Sequence, residues 1–287
     1  MAHIRPRRSV LYMPGSNPRA LEKAQTLPAD ALILDLEDAV APDAKDAARL
    51  QVFDAVKARG FGKREIIIRI NGLSTPWGAE DLKAAVEAGP DAILVPKISK
   101  PEDLHEIDNR IGHKSAVRVW AMVETPLAIL NIQAIASAAG RLSCFVMGTN
   151  DLIKEVRGLH TPDRMNLSAA LGLSVLAARA NGLAVIDGVY NDIQNTDGFA
   201  ETCRHGRAFG FDGKTLIHPS QLEACNDIFA PSPAEVDAAR KVIAAFELPE
   251  NKGKGAIKVD GRMVELLHAE IAKATVALAD AIAEMNS

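Results

Sequence analysis

The sequence is short of three things, and each shortage excludes a class of protein. Cysteine is scarce: Cys144, Cys203 and Cys225 are odd in number, and no two fall in a C-x-x-C spacing. Such a set builds neither a disulfide framework nor a zinc site and points to a reducing compartment. Cys144 sits inside an apolar run and reads as a small core residue. An excess of one charge is missing too, since 33 basic and 37 acidic side chains leave a net −4. That balance gives no reason to expect nucleic acid or an anionic membrane as partner, and the cluster "RPRR" near the start reads as a solvated segment. Long apolar runs are the third shortage. None approaches the ~18–20 residues of a membrane span, and the N-terminus lacks a signal-peptide h-region, so the cytoplasm is the expected location.

Two motifs of chemistry are also absent. "GFDGKTLIHP" resembles a P-loop, but the first glycine of that motif falls on Ala208, and the segment runs into a strand rather than a helix. The nucleophile-elbow pattern G-x-S-x-G does not occur.

What is present is an ordinary globular composition, 48% hydrophobic and 24% charged, in a chain of 287 residues that can bury one large core or two modest ones. Short β-rich runs alternate with helical periodicity. The runs are residues 9–13, 31–36, 65–70, 92–95, 117–123, 144–147, 184–186 and 214–217, and amphipathic stretches include residues 43–59, 79–88, 127–139 and 169–181. Strand–helix alternation implies right-handed crossovers and a parallel sheet. Eight repeats at this length predict an α/β fold, a closed (β/α)8 TIM barrel, over residues 1–230. A doubly wound sheet is the alternative, but "YMPGSN" after the first strand does not match its glycine fingerprint. Residues 231–287 follow the completed barrel: a helix over 231–246, a Gly- and Lys-rich linker "LPENKGKGAIKVDGR", and an Ala-rich helix over 263–285. This C-terminal helical extension reads as a lid or an arm reaching another subunit.

The residues after the strands make the pattern functional. Asn17, Glu37 with Asp38, Arg69 with Asn71, Lys97, Glu124, Asn150 with Asp151, Asp187 and His218 all fall at strand ends, which in a barrel meet on one face. Glu124 and Asp151 end consecutive strands. Neighbouring parallel strands lie ~4.8 Å apart, so two such carboxylates can converge on one hard cation, with open positions that suit Mg2+. Their plainer reading is local: Glu124 leads into a helix with Pro126 near its start, and Asp151 caps the next. Arg69, a permanent charge at the end of "EIIIRI", needs carboxylates or a substrate oxyanion as partner. Glu37 and Asp38 are the candidate structural partners. His218, before a proline, is either a rim contact or a turn residue.

Taken together, "RRSVLYMPGSN", "LDLEDAVAPDAK", "RINGL", "PK", "VET", "GTNDL", "GKTLIHP" and "GKGAIKVDGRMVE" resemble the citrate lyase beta-subunit-like branch of the HpcH/HpaI aldolase superfamily. The motifs run in order along nearly the whole chain. The resemblance implies a Mg2+-dependent barrel enzyme acting on CoA thioesters of short 3-hydroxy acids, as a homotrimer or homohexamer. It implies Glu124 and Asp151 as metal ligands, Arg69 as the arginine holding the reacting oxygens, and Tyr12, Lys23, Asn150, Asp151, Ile217 and His218 as contacts to substrate or CoA. Asn17 stands where some members carry an arginine. In the lyases of this branch the "GRMV-acid" segment supplies an aspartate to a neighbouring active site, and here that position is Glu265. One extra methylene moves a carboxylate by roughly 1.5 Å, and misplacement near ~1 Å costs on the order of 100-fold in a positioned reaction. The longer acid favours water attack, so hydrolysis of (3S)-malyl-CoA is the expected activity, with Glu265 as general base. Reversible Claisen cleavage, a citryl-thioester lyase subunit, and a non-catalytic CoA-binding or assembly barrel are the alternatives.

Overall fold

The computed structural model describes residues 4–138 and 140–286. The chain divides into two compact units, Arg7–Asn226 and a C-terminal unit of residues 227–286 with residues 4–6. The first is a closed barrel of eight parallel strands in sequence order: β1 (Ser9–Pro14), β2 (Ala31–Asp35), β3 (Glu65–Arg69), β4 (Ala92–Val95), β5 (Arg118–Val123), β6 (Leu142–Met147), β7 (Ala184–Asp187) and β8 (Gly213–Leu216). β8 closes the barrel on β1, with Val10 opposite Thr215. The expected (β/α)8 barrel is therefore the observed fold, and the doubly wound alternative is excluded by that closure.

Alternation along each strand sends every second side chain inward. Val10, Ile33, Ile67, Leu94, Trp120, Met122, Cys144, Val146 and Ile186 pack together in the barrel interior. Cys144 is buried there, as its apolar setting implies. The same parity carries upward to Tyr12, Asp35 and Arg69, so the top layer of this interior is polar and charged where the lower layers are apolar. That change of chemistry marks the mouth of the barrel.

Three local expectations differ from the structure. The stretch 127–139 is not one helix: it breaks at Asn131 into Pro126–Leu130 and Ile132–Ala136, and Asn131 Nδ2 donates to the Ser99 carbonyl at 2.9 Å. A side chain bonded to a neighbouring loop competes with helix continuation. Residue 139 lies outside the described residues. In the C-terminal unit, "GKGAIKVDGR" is not a plain linker but the antiparallel hairpin β9 (Ala256–Val259) and β10 (Arg262–Glu265). Its turn residues Asp260 and Gly261 have φ of 48° and 81°, the paired positive values of a two-residue hairpin turn. Met263–Glu265 consequently belong to a strand, and the final helix starts only at Leu266, running to Asn286 beside the helix Pro233–Glu247.

Candidate active site at the barrel mouth

Arg69 closes the barrel interior from above. Its nearest partner is Asp35, directly opposite it in the β2–β3 register. The guanidinium forks onto that carboxylate through Nε to Oδ1 and Nη2 to Oδ2, both at 2.6 Å. Nη1 turns outward, 3.0 Å from Glu37 and 3.3 Å from Asp38, and the guanidinium lies over the Tyr12 ring at 4.7 Å. Sequence reasoning named Glu37 and Asp38 but missed Asp35. The signal was there: a carboxylate inside the apolar strand "ALILD" requires a buried partner.

One cation shared among three carboxylates leaves Glu37 short of compensation. Burial pushes its carboxyl up to about 8 from the ordinary 4.5; Arg69 opposes this, while Asp38, Glu124 and Asp35 add to it. Glu124 is pushed up to about 7, first by burial and further by Asp151, against the pull of the Lys97 amide. A carboxyl raised in the folded chain holds a proton that the unfolded chain has lost, so stability is greatest at acid pH and falls as pH rises from about 4.5 through about 8. In chelator, the melting temperature is expected to drop between about pH 5 and about pH 9, with Glu37→Gln flattening part of the slope. An unchanged slope in that variant would remove Glu37 as a source.

Glu124 follows β5 and is buried, with Oε1 accepting from the Lys97 backbone N–H at 2.7 Å. Lys97 donates from a left-handed conformation, φ 56°, a strained state for a non-glycine residue that persists where surroundings demand it. Gly148, at the end of β6, lies against Glu124: a Cβ there would meet the glutamate's own Cβ and come within 2.8 Å of Oε2. Glycine thus lets the next turn approach, and Asp151 enters in the first turn of the helix Thr149–Glu155. The structure brings the two carboxylates into electrostatic contact at one rim.

A cleft of about 290 Å3 opens beside them, lined by Tyr12, Arg69, Asn150, Asp151, Asn191 and Ile217 among others. Of the residues singled out from sequence, Tyr12, Asp38, Arg69, Asn150, Asp151 and Ile217 share this lining, and Glu124 does not. Lys23 lies exposed on the helix Pro18–Ala24, and Asn17 caps that helix, accepting from Ala20 N–H. His218 is an exposed cap whose Nδ1 accepts from the Ser220 N–H at 3.2 Å. Glu265 belongs to the C-terminal unit, where its N–H donates to His268 Nδ1.

Two supporting arrangements escaped the sequence reading. Buried Gln221 accepts from the Ile217 N–H at 3.0 Å and donates to the Tyr190 carbonyl at 3.0 Å, tying two rim loops together. Lys214, inside the failed P-loop match, is wholly buried in β8 and bonds Asp187 at 2.9 Å, with Arg164 on the same carboxylate at 2.7 Å. Burial penalises the charge of Asp187, but Lys214 and Arg164 outweigh it and hold the carboxyl below its ordinary range. Asp187 is therefore a structural ion-pair centre rather than a free rim acid.

Glu124, raised by burial and further by Asp151, forms with that acid a donor set that a hard divalent cation relieves. Among the described residues no three His, Cys, Asp or Glu side chains gather into a full metal cage. Two carboxylates with the remaining positions left to water or ligand match Mg2+, so Glu124 and Asp151 fit that ion.

Fold and site together define a (β/α)8 barrel with an arginine–carboxylate network and a cation-suited acidic pair at its mouth. The chain belongs to the HpcH/HpaI aldolase/citrate lyase family, whose model matches residues 8–219. It is 51% identical, over all of both chains, to a (3S)-malyl-CoA thioesterase of Cereibacter sphaeroides. It is 35% identical to a citrate lyase subunit beta of Escherichia coli, across 91% of this chain and 89% of that one. A crystal structure of the protein CitE from Mycobacterium tuberculosis in complex with magnesium, acetoacetate and coenzyme A superposes with a TM-score of 0.76 at 30% identity, covering 93% of this chain and 97% of the other.

Proposed function

We propose that this protein is a magnesium-dependent enzyme that hydrolyses CoA thioesters of short 3-hydroxy acids, with (3S)-malyl-CoA yielding malate and CoA. The observation that carries this reading is full-length 51% identity to a (3S)-malyl-CoA thioesterase, supported by a cleft that Arg69 and Asp151 line and by the electrostatic pairing of Asp151 with buried Glu124. Glu124 and Asp151 would hold the ion, which when bound supplies positive charge for the substrate's carboxylate and hydroxyl oxygens. Arg69, anchored by Asp35, presents Nη1 toward the mouth, where it steadies negative charge developing on the thioester oxygen. Tyr12, Asn150 and Ile217 shape the acyl end, while Lys23 and His218 contact the CoA portion.

Hydrolysis needs a base to take a proton from water as the water oxygen bonds to the thioester carbon. The C–S bond then breaks and the thiolate leaves, collecting that proton as free CoA. We assign the base to Glu265 of a neighbouring copy in a homotrimer or homohexamer, with residues 231–287 serving as the arm that delivers it. Oligomerisation would thus add the base to a barrel that carries its own cation ligands, and we place the enzyme in the cytoplasm.

Incubation with malyl-CoA and Mg2+ is expected to release free thiol without glyoxylate, and Glu265→Asp to shift products towards cleavage. The similarity to citrate lyase subunit beta favours one competing reading, reversible cleavage to acetyl-CoA and glyoxylate. A glyoxylate hydrazone signal equal to substrate loss would establish that reading in place of hydrolysis.

A further inference from the structure

A second cleft of about 400 Å3 adjoins the first, and the two share Thr149, Asn150, Val189 and Asn191. Within this shared wall two amides hold each other reciprocally. Asn150 Nδ2 donates to Asn191 Oδ1 at 3.2 Å, and Asn191 Nδ2 donates to Asn150 Oδ1 at 2.9 Å.

The wall is placed by the backbone on both sides. Gly188, just after β7, packs against the start of the helix Thr149–Glu155: a Cβ there would run into the Thr149 side chain and come within 2.8 Å of the Met147 carbonyl. Buried Gln221 holds the Tyr190 carbonyl one residue before Asn191. The loop carrying Asn191 is thus pinned, yet its side chain is exposed and bonded only weakly to the fold, through one neutral amide pair. Beyond the pair the second cleft offers Ile153 and Leu167 beside Tyr190, Thr202, His160 and Asp192, and its Arg164 shares the Asp187 carboxylate with Lys214. Its apolar members, Ile153, Leu167 and Val189, are the surface an alkyl group would meet there.

We propose that the Asn150–Asn191 amide pair is the partition that limits acyl size, and that Asn191 is a specificity-determining residue. This rests on the thioesterase reading above. A hydroxyl and a carboxylate on the same carbon, gripped beside Asp151, leave that carbon one free substituent. In a malyl group the substituent is hydrogen. A larger alkyl group has room in the second cleft once the amide pair is withdrawn. The substrate class admitted by an open partition is therefore CoA thioesters of malic acids alkylated at the hydroxyl-bearing carbon.

The test compares kcat/KM for malyl-CoA and for its 3-propyl analogue in the wild type, Asn191→Ala and Asn191→Gln. Asn191→Ala should raise the propyl-to-malyl ratio by about 10-fold or more, the discrimination that one or two methylenes command at a steric wall. Asn191→Gln, which keeps the amide and adds bulk, should leave the ratio at or below the wild-type value. An unchanged ratio in Asn191→Ala with malyl-CoA turnover retained would overturn the inference, as would equal shifts in both variants. Loss of all turnover in Asn191→Ala at an unchanged melting temperature would also overturn it, because Asn191 would then serve the reaction itself. A wild type inactive on malyl-CoA would remove the thioesterase reading and this inference with it, whereas an active wild type with a flat ratio would remove this inference alone.

Discussion

Replacing Arg69 with methionine is expected to destabilise the barrel by about 3–5 kcal/mol, because it leaves the Asp35 carboxylate buried without its partner. At this chain length that corresponds to a fall in melting temperature on the order of 10 °C. Asp35 is wholly inaccessible, and besides the arginine fork it accepts from the Glu37 and Ala39 N–H groups at 2.9 and 3.0 Å. Those two backbone bonds orient the acid but do not cancel its charge. The double variant Arg69→Met, Asp35→Leu should recover much of the lost stability, since replacing both members of a buried pair by apolar groups of similar volume is often neutral or better. Turnover should behave differently, falling by roughly 100- to 1,000-fold in the single variant and staying low in the double. A double variant that regained both stability and turnover would reduce Arg69 to a structural residue. A single variant that melted with the wild type would show that the fork does not hold the barrel mouth.

The acidic pair is expected to give the opposite combination. Glu124→Gln should abolish calorimetric Mg2+ binding and lower malyl-CoA turnover on the order of 1,000-fold, the several kcal/mol that a cation contributes to charge stabilisation. In chelator above neutral pH the same variant should be at least as stable as the wild type. The amide oxygen still accepts from the Lys97 N–H, while the buried charge that Asp151 disfavours is gone. Asp151→Asn should lose Mg2+ binding alike. Unchanged affinity in both variants would mean that these side chains do not hold the ion. Loss of stability and activity together would instead mark Glu124 as a structural acid.

The elements were legible to the extent that their signals are local. The eight strands sit where the apolar runs lie, with ends moved by one or two residues, because burial of alternate side chains is written in the composition of each segment. The hairpin at Ala256–Glu265 was also legible, through "DG" between alternating apolar residues, but the surrounding glycines and lysines obscured it. Among site residues, Arg69, Glu124 and Asp151 stood out as charges ending apolar runs. Asp35 and Lys214 were harder to see, because each sits inside a run that reads as buried strand, and nothing local names the partner that makes its charge tolerable.

By itself the sequence determined the alternation of strand and helix, the family, and the position of the acids and the arginine at strand ends. Tertiary structure alone decided which charges meet. Asp35 faces Arg69 through the β2–β3 register, Lys214 faces Asp187 through the β7–β8 register, and Lys97 turns its amide to Glu124 across a strand boundary. Asn150 finds Asn191 from 41 residues away. The physical reason is that periodicity reports how much of a segment is buried, whereas register and closure set what lies opposite, and these come from the whole barrel at once.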